Sequence, residues 1–284
     1  MRVRRFVQVD VFTAVPYLGN ALAVVLDAEG LSEAQMQGFA RWTNLSETTF
    51  ILPPTAPQAD YRVRIFTPNG ELPFAGHPTL GTCHAWLAAG GRPKAALIRQ
   101  ECAVGLVDIA KREGRLAFAA PALKQTPVQA DHLAVIVQAL GLSPTQVLAH
   151  QSLNNGPLWH ALLLDSAATV LALRPDMALL KQAGLHVGVL GQHKARHAAA
   201  GIEVEVRAFA PGIGVDEDPV TGSLNASLAQ WLMAAGHLPG QYLARQGAVL
   251  KRAGEVYLLK DGEDEGRVWV GGHCVTCIEG SALI

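Results

Sequence analysis

The sequence is poor in charge and in cysteine, and it has no long basic or apolar run. Only 17% of its 284 residues are Asp, Glu, Lys or Arg, and the formal net charge is −1. Lys and Arg never reach a run of five, which excludes the basic footprint of a nucleic-acid or membrane-surface protein. No apolar stretch approaches the roughly 20 residues of a membrane-spanning helix. Met1-Arg-Val-Arg-Arg-Phe enters strand-like alternation directly, without the apolar core of a signal peptide. The expectation is a soluble cytoplasmic protein with neither nucleic-acid nor membrane partners. GxGxxG and Walker patterns are absent, so a nucleotide is not the expected ligand. The four cysteines are too few for a disulfide scaffold. Cys274-Val-Thr-Cys277 has CxxC spacing after His273, but a structural zinc site needs a second pair, and the segment reads as a strand rather than a redox helix start. The thiols are read as incidental and buried, and no metal is expected.

What is present is apolar: half of the chain is hydrophobic, enough for substantial cores. Expected strands cover 4–12, 21–26, 48–52 and 61–66 in the first part, and 97–101, 105–110 and 115–119 after them. An N-capped helix is expected over 32–42 and a nearly uncharged, hence buried, helix over 79–89. Two prolines mark a boundary at 121–128, dividing the chain into lobes 1–122 and 128–284. The second part repeats the plan, with helices at 130–140, 175–183 and 220–235. Its strands are expected at 159–164, 186–190, 203–209, 248–251, 255–259 and 267–270. Many short strands about one apolar helix per half is an α+β plan with mostly antiparallel pairing.

The repetition is visible in the residues. Arg64-Ile-Phe-Thr-Pro runs through a glycine-bearing loop to His77-Pro78, and Arg207-Ala-Phe-Ala-Pro runs likewise to Asp218-Pro219. Matching tails follow, Ala85-Trp-Leu-Ala-Ala-Gly90 and Gln230-Trp-Leu-Met-Ala-Ala-Gly236. Proline favours the first helical position, which places His77 and Asp218 at or beside N-caps. Helix starts carry free N–H groups and a positive dipole end, so two of them suit a carboxylate ligand. Gly76 and Gly222 would let backbone approach that ligand closely. A third feature is Glu47 in Asn44-Leu-Ser-Glu47-Thr-Thr-Phe-Ile-Leu, an acid entering an apolar strand, where burial would raise its pKa and suit it to proton transfer.

Four motifs in order, Val9-Asp-Val-Phe-Thr with Gly19-Asn20, Leu45-Ser-Glu47-Thr-Thr-Phe, Phe74-Ala-Gly-His77-Pro-Thr-Leu-Gly-Thr82 and Asp216-Glu-Asp218-Pro-Val-Thr-Gly-Ser223, resemble the phenazine-biosynthesis isomerase (PhzF-like) family over essentially the whole chain. The resemblance implies a diaminopimelate epimerase-like fold: two pseudo-symmetric lobes, each a curled sheet around a central helix, with the active site in the cleft between them and the chain ends able to cross over. It implies a cofactor-independent isomerase that shifts a proton between carbons of a small cyclic or unsaturated carboxylic acid, as for trans-2,3-dihydro-3-hydroxyanthranilate. Glu47 would be the general acid/base, and His77 and Asp218 would position and polarise the substrate. Asn20, Gly76, Pro78, Thr79, Gly222 and Ser223 would bind it, and the protein would be a homodimer. Gly76 and Ser223 stand where related epimerases carry catalytic cysteines, so two-thiol racemisation is not expected. An epimerase of an unusual amino or hydroxy acid, using non-thiol bases, and a non-catalytic metabolite-binding protein are the alternatives. Trp42 and Trp159 are candidates for reshaping the pocket, and His160 reads as a core histidine. The identity of the substrate and the role of Cys274 and Cys277 stay open.

Overall fold

A computed structural model describes residues 1–194, 203–262 and 266–284. The chain forms two compact units, Met1–Ala119 with Gly271–Ile284, and Ala120–Val270. In chain order the first unit holds β1 (Val3–Val11), β2 (Asn20–Val25), α1 (Glu33–Thr43), β3 (Glu47–Leu52), β4 (Tyr61–Phe66), β5 (Glu71–Leu72), α2 (Gly76–Ala88), β6 (Ile98–Cys102), β7 (Gly105–Arg112) and β8 (Arg115–Ala119). The second holds β9 (Lys124–Thr126), α3 (Ala130–Leu140), β10 (Val147–Asn154), β11 (Leu158–Leu164), α4 (Ala167–Ala172), α5 (Met177–Ala183), β12 (Val187–Gln192), β13 (Glu203–Ala210), β14 (Val215–Asp218), α6 (Gly222–Ala234), β15 (Gln241–Gln246) and β16 (Gly254–Lys260). Strands β17 (Val268–Gly272) and β18 (Cys274–Leu283) close the chain.

The two units share one pairing plan. In the first, β1–β2 is antiparallel, β2–β3 parallel, β3–β4 antiparallel, β4–β6 parallel and β6–β7 antiparallel. In the second, β10–β11, β11–β12, β12–β13, β13–β15 and β15–β16 follow the same alternation. A parallel pair needs a crossover; α1 supplies it between β2 and β3, and α4 with α5 between β11 and β12. The central helix α2 touches β18, β1, β2 and β3 and also β8, so the first sheet curls around it. Helix α6 touches both β10 and β16 in the second.

Close helix–sheet approach depends on glycine in each unit, on opposite partners. A Cβ on Gly81 of α2 would lie 2.6 Å from Leu22 Cδ2, and one on Gly188 of β12 would lie 2.3 Å from Leu224 Cδ1 of α6. The outer faces carry their own cores. Met36 and Ala40 of α1 pack with Val25, Phe50 and Phe66, while Ile136, Leu140 and Leu180 pack with Leu162, Val187 and Phe209.

Several elements differ from the sequence reading. The segment expected as a strand over 248–251 is a single 3₁₀ turn, because Gly247 (φ +97°) ends β15 in the left-handed region. Ser166 caps the unforeseen α4, its side chain accepting from Thr169 N, and α5 starts only at Met177 behind its Asp176 cap. Gly271–Ile284, expected with the second lobe, belongs to the first unit, where β18 pairs along the whole of β1. Cys274 and Cys277 on β18 are free thiols and only partly buried.

Candidate functional site

Three side chains from separate segments meet in the first unit. Asn20 opens β2 and Glu47 opens β3; these strands are parallel with Leu22 opposite Glu47, so both residues sit at the same end of the sheet. Local chemistry delivers each one. The Asp10 carboxylate accepts from Gly19 N (2.9 Å) inside the core and pins the turn before Asn20. Asn44 ends α1 in the left-handed region (φ 54°), which asparagine tolerates, and turns the chain into β3. His77 is the second residue of α2. Its Nε2 lies 3.4 Å from Glu47 Oε2 and its Nδ1 3.4 Å from Asn20 Nδ2. Ser46 Oγ donates to Asn20 Oδ1 (3.3 Å).

The His77 side chain is 5% exposed and that of Glu47 15%. Burial pushes the imidazole down to about 3, so at neutral pH a neutral ring faces the carboxylate. This has a measurable consequence. A histidine in the unfolded chain binds a proton below its ordinary value of 6.5, whereas folded His77 refuses it until about 3. Its contribution to stability is therefore intact above pH 6.5 and lost progressively between 6.5 and 3. At pH 5 the loss is about 2 kcal/mol. Urea titrations at pH 7 and pH 5 should show His77→Asn less acid-sensitive than the wild type by that amount; equal sensitivity would refute a neutral buried His77.

The second unit builds a different polar group. Asp218 ends β14, and α6 begins only at Gly222 behind Thr221. Asp218 is therefore not a helix cap, contrary to the sequence expectation. The intervening loop is held from a distance by Gln246 of β15. Gln246 Nε2 donates to the Asp218 carbonyl (3.0 Å) and to Thr221 Oγ1 (2.9 Å), and its Oε1 accepts from Thr221 N and Asn225 Nδ2. Thr221 then donates its hydroxyl to Asp218 Oδ2 (2.6 Å). Both central helices open with glycine, so Ser223, not Asp218, holds the position in α6 that His77 holds in α2. Ser223 receives Asn155 Nδ2 at its carbonyl (2.9 Å) and Trp159 Nε1 at its hydroxyl (3.4 Å).

The structure thus brings Asn20, Glu47 and His77 together in one unit, and Asp218, Gly222 and Ser223 together in the other. Gly76 and Pro78 are buried beside His77 in the first turn of α2, which has no side-chain cap; Pro78 follows as the third helical residue rather than the first. Thr79 is buried, its hydroxyl donating to Ala75 O (2.9 Å) and accepting from Gln100 Nε2 (3.0 Å). Trp42 is 81% exposed on α1, against the pocket role expected for it. His160 is buried, with Nδ1 2.9 Å from Ser152 Oγ.

Sequence reasoning missed the supports: Asp10, Ser46, Asn155, Thr221 and Gln246. Asp10, Ser46 and Thr221 lay inside the quoted motifs without a role, while nothing local marks Asn155 or Gln246. It also missed what the repeated Arg-x-Phe does. Arg64 pairs with Glu71 (2.5 Å) and lies over the Phe66 ring, and Arg207 pairs with Glu217 (2.8 Å) and lies over Phe209. Each arginine ties its strand to the next, from which the chain enters the central helix.

Comparison with known proteins agrees with this architecture. The family model described as "Phenazine biosynthesis-like protein" (PhzC-PhzF) matches residues 9–280. Antisense-enhancing sequence 1 of Schizosaccharomyces pombe is 36% identical, with 100% of each chain covered. Trans-2,3-dihydro-3-hydroxyanthranilate isomerase of Pseudomonas aeruginosa is 35% identical over 99% of this chain and 100% of its own. The crystal structure of a Bacillus anthracis PhzF-family phenazine biosynthesis protein superposes with a TM-score of 0.83 over 100% of both chains at 23% identity, which speaks for the fold. The chain belongs to the phenazine biosynthesis-like family and is an isomerase.

Proposed function

We propose that this isomerase moves a proton between two carbons of a small cyclic or unsaturated carboxylic acid, with trans-2,3-dihydro-3-hydroxyanthranilate as the first compound to test. The observation that carries the reading is a Glu47 carboxylate set against a buried, neutral His77. In the proposed cycle Glu47 takes a proton from an sp³ carbon beside a conjugated system. The C–H electron pair enters that system and a double bond shifts. Glu47, now a carboxylic acid, returns the proton to a second carbon on the same face and is left as carboxylate. The sequence of steps is redox-neutral and needs no cofactor. His77 and Asp218 are proposed to hold the substrate's polar groups. The start of α2, which has no side-chain cap, is proposed to receive its carboxylate and the charge that develops on it. Positions 76 and 223, where the family resemblance implies that related epimerases carry their thiols, are Gly and Ser, which disfavours amino-acid racemisation through two cysteines. The proposal extends to a cytoplasmic homodimer; sedimentation at the mass of one chain would refute the dimer.

Turnover in D₂O tests the reaction class. A double-bond shift changes the ultraviolet spectrum as product forms. Deuterium washing into one stereocentre with no spectral change would establish epimerisation instead and overturn the isomerase cycle.

A further inference from the structure

We infer that Asn20 and Ser46 form an orienting pair that holds His77 in the Nε2–H tautomer, with the protonated nitrogen on the Glu47 side, which makes Asn20 a positioning residue for the proton-transfer group rather than a ligand of the substrate. The inference deepens the proposed role of Glu47 and rests on it for its catalytic meaning, though not for its structural content.

The argument starts at the carboxylate. Nε2 lies 3.4 Å from a Glu47 carboxylate oxygen without completing a hydrogen bond to it, and at that distance a ring proton is favoured electrostatically where a bare lone pair would be repelled. Burial denies the ring a second proton. Nδ1 is then bare and can only accept. The atom 3.4 Å from it is the amide nitrogen of Asn20, which can only donate. That leaves Asn20 Oδ1 facing Ser46 Oγ at 3.3 Å, and a serine hydroxyl has a proton to give it. The donors of Ser46 and Asn20 point the same way, toward His77 Nδ1, and reversing the amide alone would set two acceptors against each other there. The covalent layout supports this direction. Ser46 and Glu47 are consecutive, so the residue that anchors the amide also anchors the backbone of the acid it serves. Asn20 is itself buried at the start of β2, where the pinned Gly19 turn leaves it little freedom.

Asn20→Asp replaces the donor by an acceptor and puts a second carboxylate on the ring. Nδ1 must then be protonated, and with Glu47 still at Nε2 the ring becomes an imidazolium. Nitrogen-15 correlation spectra of the imidazoles, with His77 assigned by its loss in His77→Gln, read this directly. The wild type should show an unprotonated Nδ1 and a protonated Nε2 at pH 7, and Asn20→Asp should show both protonated. Turnover of trans-2,3-dihydro-3-hydroxyanthranilate by Asn20→Asp should fall about 10- to 100-fold in kcat, by analogy with the loss of a group that orients a metal-ligating histidine, with KM little changed. A wild-type spectrum with Nδ1 protonated would overturn the inference, even if the variant failed to fold. A raised KM with an unaltered His77 spectrum in Asn20→Asp would overturn it in favour of substrate binding. If Glu47→Gln kept full turnover while the wild-type tautomer was as stated, the proposed cycle would fail and the tautomer assignment would stand.

Discussion

Glu47→Gln should lower kcat by at least about a thousandfold without loosening the fold. General acid–base catalysis by one positioned group contributes about 10²–10⁴-fold, and here one carboxylate is proposed both to remove the proton and to return it. Glutamine has the same length and shape, so packing around the first turn of α2 is kept. The side chain is only 15% exposed. KM should change little, because the amide removes proton transfer and not bulk contact. Glu47→Asp keeps the acid but withdraws it by one methylene, and a misplacement of about 1 Å costs about 10²-fold. The expected order of kcat is therefore wild type, Asp, Gln. Steady-state kinetics with circular dichroism as a folding control measure it; a Gln variant within tenfold of wild type would refute the role and would restore the case for a protein that binds its metabolite without turning it over.

Arg207→Ala should destabilise the protein by about 3–5 kcal/mol, the range for leaving one partner of a buried ion pair alone. Arg207 is 3% exposed and Glu217 8%. Two guanidinium nitrogens meet the two carboxylate oxygens at 2.8 Å, and a third donates to the carbonyls of Val170 and Leu173. Alanine removes the pairing, takes one donor from each of those carbonyls, which keep Leu173 N and the Arg174 guanidinium respectively, and empties the space over Phe209. The equivalent pair in the first unit provides an internal control. Arg64 is 26% exposed, so Arg64→Ala should cost about 1 kcal/mol or less once solvent screening is counted. Replacing both Arg207 and Glu217 by methionine should recover much of the lost stability, because no charge is left buried. Glu217 adjoins Asp218, so a loosened hairpin should also reduce turnover in Arg207→Ala. Guanidinium unfolding midpoints give the stability order; a loss below about 1 kcal/mol for Arg207→Ala would show that the pair is not what holds this hairpin.

The repeat was legible because it is written in local chemistry. Arg-x-Phe-x-Pro followed by a nearly uncharged helix marks the same strand–hairpin–helix unit twice, and both copies fold as that unit. The central helices were legible for the same reason: a helix without charges has no wet face and must be wrapped by sheet. Glu47 was legible as an acid out of place in an apolar strand. The readings that went wrong were those that needed a partner. Asp218-Pro219 looks like a helix start, and locally nothing forbids it. Gln246, from a strand well down the chain, instead ties Asp218 and Thr221 into a loop, so the helix waits until Gly222. The segment over 248–251 alternates like a strand, but Gly247 turns the backbone away.

The sequence by itself determined the α+β class, the duplicated plan and the residue types fit for moving a proton, because composition, periodicity and turn chemistry act over a few neighbouring residues. Only the tertiary structure decided that β2 and β3 run parallel in the register that sets Asn20 beside Glu47. It alone delivered His77 between them with one nitrogen for each, and returned β18 to the first unit. Those outcomes depend on backbone pairing and on donors matched to acceptors across segments far apart in the chain, which no local pattern encodes.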